Sequence, residues 1–394
     1  MSYVAPPLDP PVRTLMGPGP SDIHPRVLRA LAANTVGHLD PYFLKIMDDM
    51  QKMLRELFHT KNQLTMAISA TGSAGMECTV VNLIEPGDPM IVCVNGVFGA
   101  RMFDVAQRAG ADVTRLDRPW GEVFRPEDLK EALHKVKPKV VGIVMAETST
   151  GALQPLEEIS QLVHNAGAML LVDAVTSLGG VPVKVDEWEI DAIYSGSQKC
   201  LSCPPGLSPV SFNAKALEVI QNRKRKVQSW YLDMSMLASY WGTDRVYHHT
   251  APINMNYGLY EALRVVMEEG LEKCHARHAL HHRALKAGLT SLGLKYAANE
   301  EHQLPMLNAV LTPPGVDEAE ARKELLNRFG IEIGGGLGEF KGKAWRIGLM
   351  GFGARAENVL KLLAALEFLM SKRGVLAHGS SSIAAANEVY AKAL

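Results

Sequence analysis

Two apolar runs, Ala168-Met-Leu-Leu-Val-Asp173 and Ala192-Ile-Tyr-Ser-Gly-Ser-Gln-Lys199, decide the fold of this chain. Both predict short buried strands, because their apolar residues are continuous rather than alternating. The first strand ends on Asp173, and the second leads into Lys199. A charged side chain beside a buried strand requires a charged partner, a ligand or a shifted pKa. The alternatives are that Asp173 is an ordinary turn residue and that Lys199 is solvated. The short interval between the two charges predicts a candidate site.

Lys199 and Asp173 together fit the chemistry of one cofactor, pyridoxal 5'-phosphate. A desolvated lysine has a lowered pKa and is the usual nucleophile for a Schiff base. The same cofactor needs an acid that faces its ring nitrogen, so that the protonated ring withdraws electrons. The sequence supplies the acid and the amine on successive predicted strands.

A second segment with a strand, a small-residue turn and a helix predicts a phosphate site. Leu64–Ser69 reads as the strand, Ala70-Thr-Gly-Ser-Ala-Gly75 as the turn and Met76–Ile84 as the helix. Such a turn directs free backbone N–H groups and the positive end of the helix dipole at an anion. Thr71 and Ser73 add hydroxyl donors on either side of Gly72. The pattern is neither a Walker A motif nor G-x-G-x-x-G, which disfavours ATP and NAD.

Further polar or aromatic residues follow other predicted strands. Phe98 comes after the strand Met90–Val94, where an aromatic ring could stack on a planar cofactor or simply join the core. Glu147-Thr-Ser-Thr-Gly151 follows the strand Val140–Met145. In an open parallel sheet the ligand lies at the carboxyl ends of the strands, so these features are expected to converge on one site.

Arg346 is placed inside an apolar strand, Trp345-Arg-Ile-Gly-Leu349. A buried arginine must be paired, and its planar fork suits a carboxylate. The partner could be a substrate carboxylate or a core Asp or Glu in a structural ion pair.

Composition excludes several classes of function. The chain has 394 residues, 41 Lys and Arg against 42 Asp and Glu, and 47% apolar residues, so no global charge favours nucleic acid. No apolar run approaches the length that spans a membrane, and the Pro-rich N-terminus does not resemble a secretory signal. Cys200 and Cys203 form a C-x-x-C pair without further ligands at metal spacing, so no metal site is predicted. We expect five reduced thiols and a cytoplasmic location.

The predicted fold class is α/β, with a large domain built on a mostly parallel sheet between helices and a smaller C-terminal α+β domain. Residues 1–24 are expected to form an extended arm, residues 25–270 the large domain and residues 271–394 the small domain. A long amphipathic helix over about 256–292 is expected to link the two domains.

The chain resembles the fold-type I, class V aminotransferases that depend on pyridoxal phosphate, and within them the alanine–glyoxylate and serine–pyruvate (serine–glyoxylate) group. The similarity covers roughly residues 12–372. Its motifs are Gly17-Pro-Gly-Pro-Ser, Gly37-His-Leu-Asp-Pro, Glu147-Thr-Ser-Thr-Gly, Leu171-Val-Asp-Ala-Val-Thr-Ser-Leu-Gly-Gly, Tyr194-Ser-Gly-Ser-Gln-Lys, Tyr247-His-His-Thr, Gly334-Gly-Gly-Leu-Gly and Trp345-Arg-Ile-Gly-Leu.

The resemblance implies a role for each matching residue. Lys199 would be the catalytic Schiff-base lysine, and Arg346 would bind the substrate carboxylate beside Gly19 in the loop at the small-substrate end. The other cofactor contacts it implies are Asp173 at the ring nitrogen, Thr71, Gly72, Ser73 and Gln198 at the phosphate, Phe98 on the ring face, and Thr148 at the ring oxygen. Tyr247 and Thr250 would reach the phosphate of the neighbouring subunit, which implies a homodimer.

The activity that the resemblance implies is transfer of the amino group of a small amino acid, alanine or serine, to glyoxylate or pyruvate. A 2-aminoethylphosphonate aminotransferase and a cysteine desulfurase-like lyase are the alternatives on the same fold. The lyase would need a mobile reactive cysteine, whereas Cys274, the only cysteine after Cys203, falls in a predicted helix.

Overall fold

The computed structural model describes residues 2–376 and 381–393, which form fifteen strands and thirteen α-helices. The strands are β1 (Thr14–Leu15), β2 (Leu64–Ile68), β3 (Pro89–Val94), β4 (Asp112–Asp117), β5 (Val140–Val144), β6 (Ala146–Glu147), β7 (Ala152–Leu153), β8 (Met169–Asp173), β9 (Ala192–Tyr194), β10 (Ser208–Phe212), β11 (Lys295–Tyr296), β12 (Leu307–Leu311), β13 (Ile331–Glu332), β14 (Gly334–Gly335) and β15 (Ala344–Gly348). The helices are α1 (Pro25–Leu31), α2 (Pro41–Leu57), α3 (Gly72–Leu83), α4 (Val97–Arg108), α5 (Pro126–Val136), α6 (Glu157–Asn165), α7 (Ala214–Gln221), α8 (Met234–Trp241), α9 (Ile253–Glu269), α10 (Leu271–Ser291), α11 (Glu318–Phe329), α12 (Ala356–Lys372) and α13 (Ser382–Ala391).

A seven-stranded sheet lies at the centre of the larger part of the molecule. Its strand order is β2-β10-β9-β8-β5-β3-β4, and only β10 runs antiparallel to its neighbours. Helices α3 to α6 pack against these strands. Strands β2, β5, β8, β9 and β10 are buried along their whole length, which explains the nearly continuous apolar sequences of β5, β8 and β9. The predicted α/β class with a mostly parallel sheet is confirmed.

The register of the parallel strands brings their carboxyl ends to one edge of the sheet. Asp173 at the end of β8 pairs with Tyr194 at the end of β9 and with Val144 at the end of β5. Strand β3 ends nearby at Val94, since it pairs in parallel with β5. The predicted convergence of strand ends is therefore a property of the fold.

A four-stranded antiparallel sheet, in the order β11-β12-β15-β14, forms the smaller part. One hydrophobic cluster joins residues between Val27 and Cys274, and a second joins Met16 to residues between Ala284 and Ala386. These two clusters support the division at about residue 270, which stays a proposal. Met1, residues 377–380 and Leu394 of the predicted domain ranges lie outside the described residues.

Two local predictions need correction. The long linking helix is two helices, α9 and α10, because the chain turns at Gly270 with a φ of 86°, a conformation that suits glycine. The predicted turn before Met76 is already the first turn of α3, which begins at Gly72. The arm also contains β1, which pairs in parallel with β13. Across residues 2–376 and 381–393, no helix combines the length and apolarity that a bilayer crossing requires.

Candidate active site

The strand ends of the large sheet open into a cavity of 220 Å³. Its lining combines charged, hydroxyl and apolar side chains from the segments that follow β2, β3, β5, β8 and β9. The lining residues are Gly72, Ser73, Met76, Phe98, Arg101, Ala146, Thr148, Asp173, Val175, Thr176, Tyr194, Gln198 and Lys199.

Asp173 is a buried carboxylate held by two donors. Its Oδ1 accepts from the Val175 N–H at 2.8 Å, and its Oδ2 accepts from the Tyr194 hydroxyl at 2.7 Å. Burial raises the pKa of Asp173 to about 6, while these two hydrogen bonds act in the opposite direction. The carboxyl group is therefore ionised at neutral pH and has lone pairs left for a protonated ring nitrogen.

Lys199 is a buried amine directed at the N-terminal loop. Only 8% of Lys199 is exposed, and its Nζ donates to the carbonyl oxygen of Pro18. Burial lowers the pKa of Lys199 to about 8, and the charge of Arg346 acts in the same direction. A Cβ atom added to Gly19 would lie 2.8 Å from Nζ, so the loop passes the amine at the closest approach that a glycine allows.

The first turn of α3 presents an anion-binding surface next to the cavity. Thr71 is the N-cap residue, and the N–H groups of Gly72 and Ser73 precede the first helical carbonyl that could accept from them. Gln198 reaches the same cavity, and its buried Oε1 has no hydrogen-bond partner among the described residues. An added group with a donor would satisfy this oxygen.

Phe98 lies in α4 rather than in a loop, and Glu147 fixes the start of that helix. The Glu147 Oε2 accepts from the N–H groups of Phe98 at 3.0 Å and Gly99 at 3.2 Å. Its Oε1 accepts from the Ser149 hydroxyl at 2.6 Å. Burial raises the pKa of Glu147, and these hydrogen bonds oppose the rise. A Cβ atom at Gly96 would overlap the Glu147 side chain, so this contact requires glycine.

Arg346 connects the small sheet to the cavity. It is 8% exposed, and its Nε donates to the Gly335 carbonyl at 2.7 Å. Its Nη1 makes a long contact of 3.5 Å with the carbonyl of Thr148, whose residue lines the cavity. Within the described residues these partners are backbone carbonyls and not a carboxylate, which disfavours the structural ion pair considered above. Burial lowers the pKa of Arg346 to about 10.

Five predicted residues do not line the cavity in the single chain: Gly19, Thr71, Tyr247, Thr250 and Arg346. Gly19 contacts Lys199, and Thr71 caps α3. Tyr247 and Thr250 lie on the surface, where Tyr247 is 58% exposed.

Sequence reasoning missed Tyr194 and Arg101 as individual site residues. Tyr194 stands at the end of β9 and pairs there with Asp173, and its position at the end of a predicted strand was the only signal in the sequence. Arg101 follows Phe98 by three residues on α4, so both side chains share one helix face. Reading α4 from Val97 would have placed Arg101 at the site.

The chemistry of the lining fits pyridoxal phosphate. The cavity offers a carboxylate for a ring nitrogen, a neutralisable amine for an aldehyde, and apolar surface from Phe98 and Val175 for a flat ring. The backbone N–H groups at the start of α3 would donate to the phosphate.

Comparisons with known proteins identify the family of the chain. Residues 23–339 match the model of the family described as aminotransferase class-V. The crystal structure of an alanine–glyoxylate aminotransferase from Nostoc sp. shares 50% identity, covers 93% of this chain and 98% of its own, and has a TM-score of 0.92. The ureidoglycine–glyoxylate aminotransferase of Bacillus subtilis shares 43% identity, with 98% and 99% covered and a TM-score of 0.95. The alanine–glyoxylate aminotransferase of Felis catus is 42% identical over 92% of this chain and 88% of its own.

The chain belongs to the class V aminotransferase family. It is an aminotransferase, and pyridoxal 5'-phosphate is its cofactor.

Proposed function

We propose that this enzyme transfers the amino group of a small amino acid, alanine or serine, to glyoxylate or pyruvate, giving glycine or alanine. The observation that carries the proposal is the arrangement of Lys199 and Arg346 around one loop. The Lys199 Nζ donates to Pro18, Pro18 packs against Gly334, and Gly334 pairs with Arg346 in the small sheet. An amine and a carboxylate-binding fork that contact the same loop suit a small α-amino acid.

Each residue contributes a defined step. The bound cofactor supplies an aldehyde that takes up the amino group and a protonated ring that withdraws electrons. Asp173 would face the ring nitrogen and favour its protonated form, and Tyr194 and Val175 donate hydrogen bonds to Asp173. Arg346 binds the substrate carboxylate and fixes the orientation of Cα. The Lys199 Nζ, which is neutral above a pH of about 8, would act as general base toward the Cα proton and as general acid afterwards.

The names of the relatives support glyoxylate as the acceptor. The amino donors in those names are alanine and ureidoglycine. Two of the relatives above are alanine–glyoxylate aminotransferases, and the third is a ureidoglycine–glyoxylate aminotransferase. The Gly19 approach to Lys199 leaves little room beside the amine, which favours a donor with a short side chain.

A desulfurase-like activity is disfavoured by the chemistry of Cys274. This thiol is 1% exposed within α10, and its Sγ donates to Glu269 at 2.9 Å. Burial raises the pKa of Cys274 to about 12, so the reactive thiolate does not form at neutral pH.

A homodimer with shared cofactor sites and a cytoplasmic location complete the proposal. The side chains of Trp230, Tyr231 and Tyr247 are exposed, Trp230 and Tyr231 lie beside the ring of His248, and exposed aromatic side chains of this kind mark interfaces. In a dimer this surface would bring Tyr247 and Thr250 to the partner's phosphate site. The five cysteines are free thiols, as suits a reducing compartment such as the cytoplasm. We propose that the enzyme acts in glyoxylate metabolism there.

The test of the reaction follows the visible absorption of the purified holoenzyme. L-Alanine, L-serine, (S)-ureidoglycine and 2-aminoethylphosphonate are added separately, followed by glyoxylate or pyruvate. We expect alanine or serine to remove the band of the bound cofactor, and glyoxylate to restore it. A band removed only by 2-aminoethylphosphonate would assign the phosphonate activity, and one that no amino donor changes would contradict transamination.

The dimer is tested separately. Light scattering during size-exclusion chromatography should give twice the chain mass of 42.9 kDa. The Tyr247→Ala variant should bind the cofactor more weakly while keeping its α-helical content. A monomer with full cofactor affinity would contradict the shared site.

A further inference from the structure

Arg101 is a cation at the mouth of the cavity with no role in the steps above. Its guanidinium lies 4.8 Å from the centroid of the Phe98 ring, and its Nη1 donates to the Ser73 hydroxyl at 3.2 Å. Among the cavity-lining residues, all within the described chain, Arg101 and Lys199 are the only cations. Arg101 therefore spans the distance between the ring-stacking residue and the first turn of α3.

Arg101 differs from the arginine at the other end of the same helix. Arg108 pairs with Asp104 at 2.8 Å, and its side chain is 77% exposed. The contacts of Arg101 are instead a neutral hydroxyl and an aromatic face. Its charge is thus available for an anionic ligand that enters the cavity.

The Ser73 hydroxyl explains how such a ligand could be held. Its oxygen accepts from Arg101, so its own hydrogen stays free to be donated. The same first turn of α3 offers the N–H groups of Gly72 and Ser73. A phosphate at this position would meet backbone donors, a hydroxyl and a guanidinium, a combination that suits its two negative charges.

We propose that Arg101 binds the phosphate of pyridoxal phosphate. Within this chain, its guanidinium neutralises the negative charge of that phosphate. The inference rests on the proposed function, with the cofactor phosphate at the first turn of α3, as the sequence analysis expects. Stacking on Phe98 holds the guanidinium in place. Side chains on one face of α4 would then contact both the phosphate and the ring of the cofactor.

The test compares two ligands that differ only in the phosphate. Apoprotein of the full chain is titrated with pyridoxal phosphate and with pyridoxal, and dissociation constants are taken from the absorbance change. Arg101→Met, Arg101→Lys and Arg108→Met are compared with the wild type, and circular dichroism checks the fold of each. For Arg101→Met we expect affinity for pyridoxal phosphate to fall about 10- to 100-fold, as for loss of a charge-assisted hydrogen bond. Affinity for pyridoxal should change less than about twofold, Arg101→Lys should recover part of the loss, and Arg108→Met should match the wild type.

Each of the other outcomes would contradict a specific part of the proposal. Equal losses for both ligands would show that Arg101 acts only through Phe98. Unchanged affinity for both would remove Arg101 from cofactor binding. A wild-type protein that binds pyridoxal as tightly as pyridoxal phosphate would contradict the phosphate site itself, and with it that part of the proposed function.

Discussion

The hydroxyl of Tyr194 donates a 2.7 Å hydrogen bond to the Oδ2 of Asp173, across the paired ends of two parallel strands. Both side chains are buried, and burial raises the pKa of each. A hydrogen bond to the ionised form lowers a carboxyl pKa. Tyr194 therefore helps to keep Asp173 charged at the pH where the cofactor ring must stay protonated.

Replacing Tyr194 by Phe should make cofactor binding more sensitive to acid. Without the hydroxyl, the pKa of Asp173 rises above its present value of about 6, so the carboxyl takes up a proton at higher pH. A neutral Asp173 cannot pair with a protonated ring nitrogen. We expect affinity for pyridoxal phosphate at pH 6.5 to fall roughly 3- to 10-fold relative to the wild type and to recover by pH 8.5, given tenfold per pKa unit.

The matched control is Tyr296→Phe, which removes a buried hydroxyl that donates to Asn308 in the small sheet. The ratio of variant to wild-type dissociation constants is measured across pH. A ratio that is constant with pH for Tyr194→Phe would contradict the electrostatic role of Tyr194.

Lys199 should govern both turnover and the pH dependence of cofactor uptake. Only the neutral amine attacks an aldehyde, and burial places the pKa of Lys199 at about 8. The association rate of apoprotein with pyridoxal phosphate should therefore rise as pH increases through 8, in stopped-flow absorbance. Lys199→Ala should lose at least about 1,000-fold in turnover while still retaining cofactor through the phosphate site and Asp173. Normal turnover in this variant would remove Lys199 from the mechanism.

Arg346→Met should impair substrates through their carboxylate. We expect kcat/KM for alanine to fall roughly 10- to 100-fold, the usual effect of losing a hydrogen bond to a charged group. Arg346→Lys should recover part of this loss, because it keeps the charge without the fork. Arg322→Met, which breaks a nearby pair with Glu318, serves as the control. An unchanged KM for alanine in Arg346→Met would assign the carboxylate to another residue.

Gly96→Ala should destabilise the start of α4. The added Cβ overlaps Glu147, which accepts from the N–H groups of Phe98 and Gly99. Overpacking of this kind costs about 1–3 kcal/mol of unfolding free energy. Gly353→Ala is the control, since its Cβ would meet nothing closer than 3.8 Å. Urea unfolding of both variants should separate them clearly, and equal midpoints would show that Glu147 can move aside.

The correct predictions about the fold came from apolar runs that each lie within a single buried strand. The runs that end at Asp173 and lead to Lys199 are local patterns, and burial of continuous apolar residues follows from their composition alone. The start of α3 could be misplaced by four residues and still yield the phosphate turn. The sequence shows a glycine at position 270, but it does not predict that the helix breaks there between α9 and α10. The φ of Gly270 depends on how the two helices pack.

By itself, the sequence determined that a buried carboxylate, a buried amine and a small-residue helix start after a buried strand exist, because each depends on neighbours within a few residues. The tertiary structure alone decided that Tyr194 holds Asp173, that Glu147 orders the helix bearing Phe98, and that Arg101 reaches Ser73. These pairs are 21, 49 and 28 residues apart in the chain. They meet because the strands that precede them run parallel to one another, and only the packed sheet brings the carboxyl ends of those strands to one edge.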